Sequence, residues 1–297
     1  MDNWQLFVDF CKAETSTGGP DPQMPTIAAL ARNSEAVEKV WLAGCYGAHH
    51  CVPSGFAVWK TFRPDDIIKR PLDLEEWLEE HWKSLPVRPE MRSHRMVEKR
   101  AECLHDFALY AVGETWRNKT DYDWVWRDSI DHVAYYNRYM AIKFLEMLRL
   151  MVTPGLVLSD MRAKHAWSPR RTLAMLHPQF GHILGNKEDN SPGTLSLAET
   201  MAAETITKLQ DYGVSISFFQ LQVMLCEFRE ATVGGYYPGA SLDEELDYIA
   251  IAQKDFSFDE VFEVRRSLFP HQFLGEIGGW NGLRKEKFLV FKGSVNV

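Results

Sequence analysis

Apolar side chains recur along most of this chain at the three- and four-residue steps of a helix face. Trp4, Phe7, Val8 and Cys11 predict a first amphipathic helix, which the Thr17-Gly18-Gly19-Pro20-Asp21-Pro22 stretch breaks. Val133, Asn137, Met140, Phe144, Leu148 and Met151 step by four, three, four, four and three, which reads as one face of a single long helix. Phe218, Leu221, Leu225 and Phe228 form another such stripe. Ser196 with Glu199, Ser241 with Glu244 and Ser257 with Glu260 have the spacing of capping boxes and predict three helix starts. Gly213 suits a helix end, and Pro270 stops the helix that begins near Ser257. The one strand signal is at 287–291, and no alternation of strands with helices suggests a doubly wound sheet. The expected fold is mainly α: a single large multi-helix domain over residues 1–297, with at most a short C-terminal strand element. The polar Asn-Lys-Glu-Asp-Asn-Ser-Pro-Gly loop at 186–193 marks where two lobes would divide.

Composition adds bounds to this picture. The chain has 297 residues, 45% of them hydrophobic and 25% charged, which fits a folded globular protein. The N-terminus lacks a basic, apolar leader, and no run approaches the roughly 20 apolar residues that span a bilayer. Five widely spaced cysteines without a CxxC pair fit reduced thiols and a cytoplasmic location. Net charge is −8, which weighs against non-specific nucleic-acid binding, but the charge is unevenly spread. Arg149, Arg162, Lys164, Arg170 and Arg171 face one acid, Asp160, over 149–171. Arg88, Arg92, Arg95, Lys99 and Arg100 face Glu90 and Glu98 over 88–100. Such segments can hold a phosphate or a duplex strand, or can be solvated helix faces.

No GxGxxG, GxxxxGK[ST], HExxH or GxSxG motif is present, so dinucleotide-binding, P-loop, zincin and hydrolase chemistries lose ground. Four segments remain. In residues 44–54, His49 and His50 lie beside Cys45 and Cys51. That spacing is not a paired-cysteine zinc site, so no metal is expected, and the choice is between a packed helix end and an imidazole base. At Tyr135-Tyr136-Asn137-Arg138-Tyr139, Asn137 on the apolar stripe must either bond between helices or meet a base edge, with Arg138 next to it as a substrate contact. In Trp167-Ser168-Pro169-Arg170-Arg171, proline after serine predicts a helix start, and the two arginines make it a candidate phosphate site. Arg92, Arg95, Arg100, Lys164 and Trp167 are the candidate DNA contacts. The fourth segment runs from Leu225-Cys226-Glu227-Phe228-Arg229 to Gly234-Gly235-Tyr236-Tyr237-Pro238-Gly239. A desolvated Glu227 serves as a base, Arg229 as an anion partner, and Tyr236 and Tyr237 as stacking surfaces; the bland alternative is an Arg–Glu pair before a helix stop.

With the Gly18-Gly19-Pro20-Asp21-Pro22 loop and residues 44–54, this last segment resembles the phage amino acid:DNA transferases, related to the α-glutamyl/putrescinyl thymine pyrophosphorylases of thymine hypermodification. The resemblance extends over most of the chain. It implies a helical, DNA-glycosylase-like enzyme acting on double-stranded DNA, although no LPGVG-like hairpin is present. The amino group of a free amino acid, glycine being one candidate, would displace phosphate or pyrophosphate from an activated 5-hydroxymethyluracil. Glu227, His49 or His50 would be the base, Arg170, Arg171 and Arg229 would hold the leaving group, and no cofactor would be needed. The rivals are a non-catalytic helical DNA-binding protein and another enzyme of the same pathway. An enzyme predicts a concave site lined by segments distant in sequence, where His49, Arg170 and Glu227 converge.

Overall fold

The computed structural model describes residues 2–277. The structure is 69% helical, in fifteen α-helices and short 3-10 turns, and no strand occurs among the described residues. The expected strand at 287–291 lies outside them. In chain order the first helices are α1 (Asn3–Ser16), α2 (Gln23–Leu30), α3 (Ala36–His49), α4 (Val52–Thr61) and α5 (Pro64–Lys69). There follow α6 (Pro71–His81), α7 (Val97–Gly113), α8 (Tyr122–His132), α9 (Arg138–Met151) and α10 (Trp167–Leu176). The last are α11 (Gly181–Leu184), α12 (Pro192–Asp211), α13 (Phe218–Val233), α14 (Ala240–Ala252) and α15 (Asp259–Leu268).

These helices bury two main apolar clusters. The larger draws on α2 to α9, α14 and the start of α15, with Trp41, Phe107 and Phe144 fully enclosed. The second joins α1 to α10, α12 and α13 through Phe7, Phe10, Leu173, Ala202 and Phe228. They meet along α13, where Phe219 belongs to the first and Leu221 and Phe228 to the second. The 186–193 loop does not separate them, because Leu184 and Ala198 on either side of it share the second cluster. Close helix approach needs glycine at two places. A Cβ at Gly44 would lie 2.7 Å from Phe107, and one at Gly55 would lie 2.8 Å from the Tyr46 backbone.

Several local expectations shift. The stripe from Val133 to Met151 is not one helix: Val133 is extended at the end of α8, and α9 starts only at Arg138. Asn137 is its exposed N-cap, with Oδ1 accepting from the Met140 amide at 3.0 Å. It therefore neither bridges helices on the apolar face nor needs a base to satisfy it. Ser196 and Ser241 lie inside α12 and α14, whose N-caps are Ser191 and Gly239. A capping box needs its serine in extended backbone, and these helices have already begun. The Ser257 hydroxyl contacts Asp259 at the foot of α15 instead of capping through Glu260. The box that does form pairs Ser217 with Gln220 at the start of α13. Gly213, with φ +79°, follows α12, and Pro270 lies just past α15.

Candidate functional site

Where the two clusters meet, the chain leaves a cavity of about 440 Å³. Its lining comes from the α1–α2 turn (Asp21), the loop after α6 (Arg88, Glu90), α8 (Trp126), α9 (Arg138, Tyr139, Ile142, Lys143), the segment entering α10 (Arg162, His165, Trp167, Ser168), α13 (Gln222, Cys226, Glu227) and the following turn (Tyr236, Ser241). The backbone is strained around it. Asp21 and Arg162 in its wall, and His50 behind it, are non-glycine residues at φ +53°, +56° and +53°. Such conformations cost of order 1–3 kcal/mol each and persist where the surroundings enforce them.

The floor is acidic and largely buried. Lys143, 3% exposed, reaches it from α9 and forms a buried ion pair with Asp21. Glu14, fully buried on α1, accepts from the Tyr236 hydroxyl at 3.1 Å and from the Gly239 amide at 3.0 Å, tying the α13–α14 turn to the floor. Glu227 lines the cavity, and its Oε2 is enclosed without a hydrogen-bond partner. Desolvation, with Glu14 and Asp21 nearby, raises the Glu227 carboxyl well above the ordinary range, against the opposing pull of Lys143 and a hydrogen bond from Tyr236.

The rim is aromatic and basic. The His165 and Trp126 rings stack, with centroids 6.3 Å apart and planes 13° apart. The Arg138 guanidinium donates to His165 Nδ1 at 2.7 Å, so that nitrogen is unprotonated. Partial burial, then Arg138, Lys164 and Arg162, push the His165 pKa down in agreement. Arg138 has no carboxylate partner among the described residues, whereas Arg162 is paired with Asp123. Arg162 also lies 4.9 Å from the Tyr122 ring and 5.3 Å from that of Trp126. Trp167 and Ser168, the first residues of α10, turn that helix N-terminus toward the same space.

The sequence candidates divide against this geometry. Glu227, Tyr236, Arg138 and Trp167 line the cavity; the expected convergence of His49, Arg170 and Glu227 does not occur there. His49 is fully buried, with Nδ1 2.8 Å from the Cys45 carbonyl, as a packed helix end requires. His50 stands behind the wall with Nε2 3.0 Å from the Tyr139 hydroxyl. Burial drives both imidazoles to the neutral form. Arg170 is 1% exposed and faces away, donating to Asn190 Oδ1 and to the Asn186 and Asp189 carbonyls. Arg171 does not line the cavity, and Arg229 is paired with Glu230 outside it. α10 begins at Trp167 with Ala166 as its N-cap, so Ser168 and Pro169 lie inside its first turn, and neither Arg170 nor Arg171 lines the cavity. Tyr237 is buried, its hydroxyl 2.7 Å from Asp243. Arg100 is also buried, donating to the His94 and Leu85 carbonyls, so it offers DNA nothing. Arg92, Arg95 and Lys164 are exposed.

Sequence reasoning passed over Asp21, Arg88, Lys143, Arg162 and His165 as site residues. Lys143 carried a signal, since it lies between Met140 and Met147 on the buried face of α9, where a solvated lysine does not belong. The others are assembled only by tertiary contact. Among the described residues, no three His, Cys, Asp or Glu side chains converge as metal ligands, and no helix is long and apolar enough to cross a membrane. Compared with family models, curated proteins and solved structures, the chain matches none.

The position of Arg170 yields a prediction. Arg170→Ala should destabilise the fold by about 1–3 kcal/mol by unpinning the 186–190 loop and stranding its carbonyls. Its effect on handling of a phosphorylated ligand should be no larger than this loss explains. Denaturant unfolding beside ligand titration checks both; weak phosphate binding with wild-type stability would restore Arg170 as an anion ligand.

Proposed function

We propose that this protein is an amino acid:DNA transferase, joining the amino group of a small amino acid to a phosphate-activated 5-hydroxymethyluracil in double-stranded DNA. The observation that carries this reading is the polarity of one cavity: a desolvated carboxylate with one unpartnered oxygen at its floor, and a guanidinium without a carboxylate at its rim, between aromatic walls. A reaction between an ammonium nucleophile and an ester with an anionic leaving group needs that arrangement. The planar base would lie among Trp126, Trp167 and Tyr139, which line the cavity, and to enter it must leave the duplex stack. Exposed Arg92, Arg95 and Lys164 are available to the flanking phosphates.

The step balances with residues of this chain alone. Glu227 takes a proton from the ammonium, and the freed amine attacks the 5-methylene carbon. A carbon–nitrogen bond forms, the carbon–oxygen bond to phosphate breaks, and its electron pair leaves with the phosphate. Ring electrons of the uracil assist that departure. Arg138, Arg162 and the α10 N-terminus hold the growing negative charge, and the enclosed floor keeps water from competing as nucleophile.

The test is direct. Duplex DNA containing 5-phosphomethyl- or 5-pyrophosphomethyl-uracil is incubated with the protein and a panel of amino acids, digested, and its nucleosides weighed. A nucleoside heavier by the amino acid and lighter by the phosphate is expected; its absence with every donor overturns the reading. Arg138→Ala should weaken binding of the activated duplex about 10-fold relative to unmodified duplex, the magnitude of one charge-assisted contact. Equal weakening of both would make Arg138 a general backbone contact instead.

A further inference from the structure

The floor holds more than a base. Asp21 and Glu227 flank one ammonium, Lys143, and Glu14 lies near enough to Glu227 that it and Asp21 both raise the Glu227 carboxyl through their charge. Such an excess of acid in a desolvated place favours a cationic ligand. Lys143 points to a second ligand charge. Its ammonium has three donors, yet its hydrogen bond among the described residues is to Asp21; the Tyr139 and Phe219 rings, with centroids 5.4 and 5.3 Å away, give it cation–π contact but accept no hydrogen bond. Lys143 is 97% buried by its 3% exposure, so water satisfies little of the remainder. Glu227 lines the same cavity and its enclosed Oε2 is an acceptor without a donor, and Lys143 and Glu227 are close enough to shift each other's charge. An empty acceptor and spare ammonium donors therefore lie side by side in one cavity.

We propose that the cavity floor is a receptor for a small zwitterion, in which Glu227 takes the α-ammonium of an amino acid and Lys143 takes its α-carboxylate, making Lys143 the residue that selects amino acids over simple amines. An α-amino acid carries both charges on one carbon, which matches neighbouring partners better than a longer separation does. Asp21 keeps Lys143 charged and aimed while the site is empty, and the strained Asp21 backbone, held between Pro20 and Pro22, fixes that carboxylate in place. Val223 and Cys226 lie one turn before and immediately before Glu227, so the α-substituent meets a crowded helix face and small amino acids fit best. This assignment deepens the transferase reading and rests on it for the catalytic role, but binding at the floor is measurable without DNA.

Two experiments test it. In the first, glycine, methylamine, acetate and β-alanine are titrated into the unmodified protein by calorimetry or ligand-observed NMR. Glycine should bind at least about 10-fold more tightly than methylamine or acetate, with β-alanine between. Glycine no tighter than methylamine overturns the site. In the second, the same compounds serve as donors to activated DNA. Wild-type protein should prefer glycine, and Lys143→Gln should raise the KM for glycine about 10- to 100-fold while leaving methylamine use nearly unchanged. An unchanged KM for glycine, or equal losses for both donors, overturns the role of Lys143. Because Lys143→Gln strands Asp21, the double variant Asp21→Asn/Lys143→Gln is measured beside it, and the wild-type donor panel needs no variant. The two readings fail separately: selective glycine binding without any DNA product sinks the transferase and keeps the zwitterion site, whereas product formed equally from glycine and methylamine does the reverse.

Discussion

Replacing Glu227 with glutamine is expected to lower turnover about 10²- to 10⁴-fold, the range that one general base contributes, with duplex affinity almost unchanged. Glutamine keeps the shape of the side chain and cannot accept the proton. The affinity should survive because the groups available to phosphates, among them Arg138, Arg92 and Arg95, lie at the rim or on the surface. The pH profile is a second readout. The base works ionised, and its pKa is raised by burial and by Glu14 and Asp21, so kcat/KM for the wild type should fall on the acid side at a pH above the ordinary glutamate value of about 4.3. Stability runs in the opposite sense. A carboxyl whose folded pKa lies above its unfolded value stabilises the fold while protonated and loses that contribution as pH rises through the folded pKa. Glu227→Gln, neutral at every pH, should therefore unfold at a higher temperature than wild type near neutrality, and the difference should shrink as pH falls. Full activity in Glu227→Gln would remove Glu227 as the base. His49 and His50, which do not line the cavity, would then need a rearranged wall to replace it.

The second large effect concerns the support beneath the site. On α14, Glu245 is 1% exposed and forms an ion pair with Arg265 of α15, itself 1% exposed, which also donates to the Leu242 carbonyl at 3.0 Å. The adjacent Glu244 pairs with Arg88 in the cavity wall, so the α14–α15 pair holds one side of the site. Arg265→Met should destabilise the protein by about 3–5 kcal/mol, because it leaves a buried carboxylate without its cation. The double variant Arg265→Met/Glu245→Leu should recover most of that loss. Burial already raises the Glu245 carboxyl, and without Arg265 opposing it the rise is larger. The single variant should therefore regain stability as pH falls and Glu245 protonates. Denaturant unfolding at two pH values measures this; a single variant within about 1 kcal/mol of wild type, the size expected of an exposed pair, would show that the pair is solvated.

The sequence pattern was enough for the helical class, because a helix buries a stripe whose 3.6-residue period is written directly in the chain. The stripes through Trp4 and Cys11 and through Leu221 and Phe228 became buried faces of α1 and α13. It also singled out Glu227, Tyr236, Arg138 and Trp167, which line the cavity, each from a local setting unusual enough to notice. Helix boundaries were less legible, since a cap depends on backbone angles that composition only biases. The sequence pattern ran a single helix stripe from Val133 through Asn137, whereas Asn137 is the N-cap at which α9 begins. Charged residues were the least legible. Arg138, Arg170 and Arg100 are the same residue type, yet one faces a cavity, one pins a loop and one is enclosed by backbone carbonyls. Which of these a guanidinium does depends on partners 15 to 27 residues away along the chain, and on whether water reaches it. Lys143 and Asp21 meet across 122 positions, and Glu14 reaches Tyr236 across 222. Periodicity is a local property and determined the helices. Charge complementarity in a buried cavity is a property of assembled surfaces, and only the packing of α1, α9, α10 and α13 around one space decided it.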